Sequence, residues 1–118
     1  MESLYTVKLG KLIKEFNLEV LRGAPNYEEQ DIRTEDVNRP GLQLTGFFDY
    51  FDPHRLQVIG KVEDTYLSGL TPEQRRESFE QLLSQEIPAL IVSRGIEPYP
   101  ECMEMAEKYD RTVLRSQD

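Results

Sequence analysis

Three cations in the chain each follow a stretch that reads as a strand, and each sits in a glycine-containing turn: Arg39 in NRPG, Lys61 in GK and Arg94 in SRG. In an open parallel sheet the loops after the strands gather at the carboxyl edge, where ligands bind. Three cations converging there would hold a phosphate or a carboxylate. Alternatively, Arg39 pairs with Asp36 or Asp49 and fixes its own turn, while Lys61 and Arg94 face solvent. Spacing alone leaves both arrangements open.

The other residue types suited to chemistry read as structural. His54 is the single histidine; with no cysteine or second histidine nearby it builds no zinc site, and after Asp52-Pro53 it is expected to be exposed. Asp49 and Asp52 could be paired carboxylates, but they flank an expected helix end, where a cap or a solvated face is the commoner role. Cys102 falls on the apolar face of its helix without a basic neighbour to favour a thiolate, which suits a small core residue. Arg75-Arg76 reads as a solvated ion-pair patch among glutamates. The phosphate-loop pattern GxxxxGK[ST] is absent. Without a nucleophile, base or metal set, a freestanding enzyme is not expected.

Composition narrows the partners. The chain has 118 residues, 38% hydrophobic and 31% charged, with a formal net charge of −8. That length suits one domain with one core. The charge argues against nucleic-acid backbones and anionic membrane surfaces, which need a basic footprint. One cysteine excludes an internal disulfide and fits a reducing cytoplasm. No secretory core stands at the N-terminus, and no apolar run approaches the length of a membrane span.

The elements that would position these residues follow from periodicity. Residues 7–16 form an amphipathic helix with Leu9, Leu12, Ile13 and Phe16 on one face. A short strand at 18–21 and a turn at 23–26 follow, then a second strand ending near Val37. Asn38 caps a helix with Pro40 in its first turn, and Leu44, Phe48 and Phe51 at i, i+4 and i+7 give it an aromatic face that Asp52-Pro53 ends. Residues 56–60 form a strand. Val62, Tyr66, Leu67 and Leu70 then keep helical spacing. Thr71 and Gln74 make a capping box for a helix that turns Phe79, Leu82 and Leu83 inward. Residues 89–92, the most apolar run, read as a central parallel strand. Pro98 and Pro100 lead into a helix with Cys102, Ala106 and Tyr109 on one face, and 112–114 form a last strand. The alternation predicts an α/β fold: a small, mostly parallel sheet with helices on both faces and right-handed crossovers. Tyr5, Tyr27, Tyr66 and Tyr99 are candidates for contacts with other domains, most of them expected to be packed.

The run DVNRPGLQL at 36–44, followed by GFFDYF at 46–51, resembles the signature of the N-terminal domain of bacterial HPr kinase/phosphorylase. LIKEFNLEV (12–20), QVIGK (57–61), IPALIVSRG (87–95) and KYDRTVLR (108–115) are similar to segments of that family in the same order. The resemblance implies a fold similar to the uridine-nucleotide-binding N-terminal domain of the peptidoglycan precursor (Mur) ligases, a likeness of shape that carries no ligand with it. It also implies that 1–118 is a single N-terminal domain, and that the P-loop kinase domain, with its ATP and Mg²⁺ sites, lies in a C-terminal part beyond this sequence. No cofactor is then expected for this chain. The expected role is noncatalytic regulation and assembly in a cytoplasmic enzyme that phosphorylates and dephosphorylates HPr in carbon catabolite control. Its partners would be its own kinase domain, HPr through the parent enzyme, and other copies in a hexamer. The alternative is a small-anion or nucleotide sensor using Arg39, Lys61 and Arg94.

Overall fold

The computed structural model describes residues 6–33, 40–49 and 51–117. Its elements run β1 (Thr6–Lys8), α1 (Leu9–Glu15), β2 (Glu19–Arg22), a 3₁₀ turn (Tyr27–Glu29), β3 (Asp31–Arg33), α2 (Gly41–Leu44), β4 (Gln57–Ile59), α3 (Lys61–Ser68), α4 (Pro72–Leu83), β5 (Leu90–Val92), α5 (Pro100–Tyr109) and β6 (Val113–Arg115).

The main sheet is mixed, in the order β2-β6-β5-β4. β5 runs parallel to β4 and to β6, and β2 closes one side antiparallel to β6. Side chains alternate across a strand, so the sheet feeds two apolar layers. Leu90 and Val92, with Ile59 and Val113, pack against Phe79, Leu82 and Leu83 of α4 and Cys102 and Ala106 of α5. Ile91 and Leu114 pack on the opposite face against Leu9, Leu12 and Ile13 of α1 and Ile32 of β3. The α/β architecture with helices on both faces is thus present.

Two local readings change. Val7, assigned above to the first helix, lies in β1, which pairs antiparallel with β3 in a separate two-stranded ribbon. Lys8 is extended (φ −74°, ψ 143°) and the Leu9 amide donates to the Gln30 carbonyl at 2.8 Å, so the ribbon claims the backbone up to Lys8. The long aromatic helix is the second change: α2 ends at Leu44, and Gly46 takes φ +99°, a left-handed conformation that glycine reaches without strain and that stops a helix. Leu44 is buried, Phe51 packs on the core edge-to-face with Phe48 at 5.3 Å, and Phe47 is 45% exposed. Asn38 and Val37 lie outside the described residues.

The capping box is formed as expected. The Gln74 amide donates to Thr71 Oγ1 at 3.1 Å, and the Thr71 amide donates to Gln74 Oε1 at 2.9 Å. Thr71→Ala is expected to lower stability by about 1 kcal/mol, read as a shift in the urea midpoint at unchanged slope; Glu73→Ala, two residues on at an exposed position, serves as the comparison and should shift it much less.

Candidate functional site

Parallel pairing places the loops after β4, β5 and β6 side by side. Both the amide and the hydroxyl of Ser93 donate to the Ile59 carbonyl, at 2.9 and 3.0 Å, which ties the loop after β5 to the end of β4. The Ser116 amide donates to the Val92 carbonyl at 2.8 Å, and the Gly95 amide to the Ser116 carbonyl at 2.7 Å. The carboxyl edge is therefore stitched into one row.

Lys61 is the first residue of α3 and Arg94 opens the turn after β5. Both side chains are exposed, and among the described residues neither makes an ion pair or a side-chain hydrogen bond. Arg39 lies outside the described residues. Arg94 and Gly95 both take the left-handed conformation, at φ 58° and 63°. Apart from glycine, the other described residues with positive φ are Asn17, Asn26 and Asp110, types that tolerate it. For an arginine it costs on the order of 1–2 kcal/mol. At Gly95 an added Cβ would lie 2.9 Å from Gln117 Oε1, the end of an exposed side chain that can move aside.

The amino end of α3 is already filled by its own chain. Glu63 is buried, and its Oε1 accepts from the Gly60 amide at 2.7 Å. Behind it, a cavity of about 10 Å³ among Ile59, Leu67, Phe79, Val92 and Cys102 has room for about one water. The two free cations therefore stand on the rim and line no cradle.

A second cationic feature escaped the sequence reading. Arg76 pairs in the open with Glu104 at 3.1 Å, as a solvated patch should, but Arg75 does not belong to that patch. Its Nε lies 3.1 Å from Oε1 of the buried Glu101, its Nη1 donates to the Leu67 and Leu70 carbonyls at 3.1 and 2.7 Å, and its guanidinium carbon stands 4.7 Å from the centre of the Tyr99 ring. One side chain thus joins the end of α3 to the starts of α4 and α5. The readable signal was the absence of any basic residue in the last turn of α3, whose end carbonyls need donors. A helical side chain leans toward the N-terminus, so Arg75 reaches back to supply them.

The remaining candidates match their structural readings. Cys102 is buried beneath α5, and burial, with Glu101 beside it, pushes its thiol up to about 12. His54 is exposed, and its amide donates to Asp52 Oδ1 at 3.0 Å, so Asp52 caps a turn. Asp49 is exposed. Tyr27 and Tyr99 pack against the two cores, whereas Tyr66 is exposed and Tyr5 lies outside the described residues. Among the described residues no group of three or more His, Cys, Asp or Glu side chains could hold a metal, and no helix is long and apolar enough to cross a membrane.

These features define an α/β domain with a mixed four-stranded sheet, presenting a partly basic carboxyl edge. The chain belongs to the HPr serine kinase N-terminal family, whose sequence model, described as "HPr Serine kinase N terminus", matches residues 7–118. It is 44% identical over 115 residues to an HPr kinase/phosphorylase of Caldicellulosiruptor bescii, covering 98% of this chain and 37% of the relative. With an HPr kinase/phosphorylase of Alkaliphilus metalliredigens it shares 45% identity over 111 residues, covering 94% and 36%. The chain thus spans little more than a third of these curated relatives. Among solved structures, the CBS and DRTGG domains of the regulatory region of a Clostridium perfringens pyrophosphatase, complexed with its activator diadenosine tetraphosphate, match with a TM-score of 0.61 at 17% identity. That match covers 93% of this chain and 41% of the other, and at this identity it shows the fold alone.

Arg75→Ala should cost about 2–4 kcal/mol, because it strands the buried Glu101 and the Leu70 carbonyl beyond the end of α3. Arg76→Ala should cost less than about 1 kcal/mol. Denaturant unfolding of the two variants side by side makes the comparison, and equal losses would show that Arg75 does not tie the helices together.

Proposed function

We propose that this chain is the noncatalytic N-terminal regulatory and assembly domain of an HPr serine kinase/phosphorylase. The observation that carries the reading is the match to the N terminus of the HPr serine kinase, which takes in nearly the whole chain, combined with a sequence that lacks the GxxxxGK[ST] phosphate loop. ATP, Mg²⁺ and the transfer of phosphate to and from HPr then belong to a C-terminal kinase domain of the kind its relatives' names imply. Among the described residues, what supports this is that the buried Glu63 takes up the amino end of α3 and that no enclosing pocket surrounds Lys61 and Arg94. Hexameric assembly, a cytoplasmic setting, a role in carbon catabolite control and a shape like that of the Mur ligases' N-terminal domain are parts of the same proposal, and rest on family resemblance.

The direct test incubates the 118-residue chain with HPr, ATP and Mg²⁺ and follows serine phosphorylation by mass spectrometry. No phosphate transfer is expected. Phospho-HPr formed in proportion to added chain would overturn the noncatalytic reading.

A second reading starts from one observation: among the described residues, Lys61 and Arg94 are exposed at the carboxyl edge without ionic partners, on a chain of net charge −8. In it, Arg39, Lys61 and Arg94 together contact a phosphate or carboxylate. Titration with inorganic phosphate, followed by amide NMR, should then move the signals of all three residues along one saturation curve in the millimolar range. Signals that stay in place, or drift linearly with ionic strength, rule out a shared anion site.

A further inference from the structure

The carboxyl edge carries more than Lys61 and Arg94. β2 runs antiparallel to β6 with Glu19 opposite Arg115, so β2 begins at the edge where β6 ends. The end of α1 is delivered there too, bringing Lys14 and Phe16. Lys14 is exposed, and among the described residues it makes no ion pair or side-chain hydrogen bond. Phe16 is 64% exposed. At the other end of the row Val62, next to Lys61, is 74% exposed. Strands spaced about 4.8 Å apart put the two ends of this row roughly 14 Å from each other. Between them Arg115 is shared by Glu19 at 3.0 Å and Glu97 at 2.9 Å, which leaves one carboxylate charge in excess there, so the positive charge open to a partner comes from Lys14, Lys61 and Arg94 and stands beside acidic groups. Glu15 and Asp64 stand close by in sequence and limit that charge.

The sheet's geometry also indicates what covers this row. The family model describes an N terminus, and the curated relatives are nearly three times the length of the matched region, so in such polypeptides the rest of the chain follows β6. β6 ends in the middle of the row, and the hydrogen bonds from Ser116 to Val92 and from Gly95 to Ser116 hold its exit there. Whatever follows is tethered directly over the exposed apolar and basic side chains, at a high effective concentration. Interfaces between domains of one chain are modest in area and more polar than permanent ones. A row of apolar residues interleaved with free cations has that character.

We infer that the carboxyl edge, through Lys14, Phe16, Lys61, Val62 and Arg94, is the face on which the C-terminal part of an HPr kinase/phosphorylase polypeptide docks. The inference rests on the N-terminal-domain reading and assigns that reading a surface. The surface of the partner facing this row carries apolar residues opposite its two ends, at Phe16 and Val62, and carboxylates opposite Lys14, Lys61 and Arg94. An isolated anion would use the cations and leave Phe16 and Val62 in water.

The experiment compares hydrogen exchange in two proteins: the 118-residue chain alone, and the same chain replacing the matching region of the Caldicellulosiruptor bescii relative. Amides at 14–18, 61–66 and 93–96 are expected to exchange about ten-fold more slowly in the long protein. The slowing should fade as salt is raised to 1 M, as screening weakens the charged contacts. In the long protein, the double substitution Val62→Glu, Arg94→Glu should abolish the slowing, while the melting of the isolated chain stays unchanged because both side chains are exposed. Equal exchange in the two proteins overturns the inference. So does slowing confined to the outer faces of α4 and α5, or slowing that appears only as concentration rises, which would mean a second copy covers the row. Phosphorylation of HPr by the long protein, measured in parallel, tests the domain reading separately, so failure of the surface and failure of the reading are told apart.

Discussion

β5 has to be buried on both faces, and the rest of the molecule is arranged to meet that demand. Its three residues have no polar side chain, and it pairs with a strand on either side. Leu90 and Val92 need one apolar layer and Ile91 needs another. α4 and α5 supply the first. α1, with the β1–β3 ribbon behind it, supplies the second. The same parallel register aligns the ends of β4, β5 and β6, so the packing requirement of one strand sets where the loops lie. The carboxyl edge is thus a by-product of the core, and its composition is free to serve other ends.

Much of this was legible because it rests on short-range periodicity. Four consecutive apolar residues at 89–92, a threonine three residues before a glutamine at 71–74, and Cys102 and Ala106 one turn apart each specify their element locally. The failures are of a different kind. Val7 has the right spacing for α1, yet β3, more than twenty residues away, claims its backbone. Leu44, Phe48 and Phe51 have helical spacing, but Gly46 between them adopts a conformation that the side-chain pattern does not record. Val62 and Tyr66 share helical spacing with Leu67 and still face outward, because which side of α3 meets the core depends on how the helix is docked.

The arginines show the same limit for the site. Arg75 and Arg76 are neighbours in the same run of charge, but a helix turns by about 100° per residue, so one is held between the helices on the buried Glu101 and the other meets Glu104 in the open. Arg75 then supplies a donor to the Leu70 carbonyl and a second one to the Leu67 carbonyl, which also accepts the Leu70 amide. Sequence adjacency suggested one role for both, whereas helix geometry assigns two. At the carboxyl edge the loops of Lys61 and Arg94 did come together as the α/β pattern implied, while the contribution of Lys14 and Phe16 depends on the antiparallel return of β2, which the alternation of strands and helices did not reveal.

In a chain with 22 carboxylates and 14 lysines and arginines, a cation without an acidic partner reflects placement and not scarcity. Elsewhere most described cations find carboxylates, as Lys8 does with Asp31, Arg22 with Asp110, Arg76 with Glu104 and Lys108 with Glu80, while Arg111 donates to the Leu83 and Ser84 carbonyls. Such exposed pairs are each worth little, but they remove charge from the surface almost everywhere except at the carboxyl edge and on α1. There the cations stand beside apolar residues that no part of the described chain covers. Arg94 in addition keeps a left-handed backbone that a glycine would hold without strain. Local stability gains nothing from leaving Lys14, Lys61 and Arg94 unpaired, or from placing Phe16 and Val62 in water. Each of these costs decreases once another surface closes over the row, and a single surface closing there would reduce them all together.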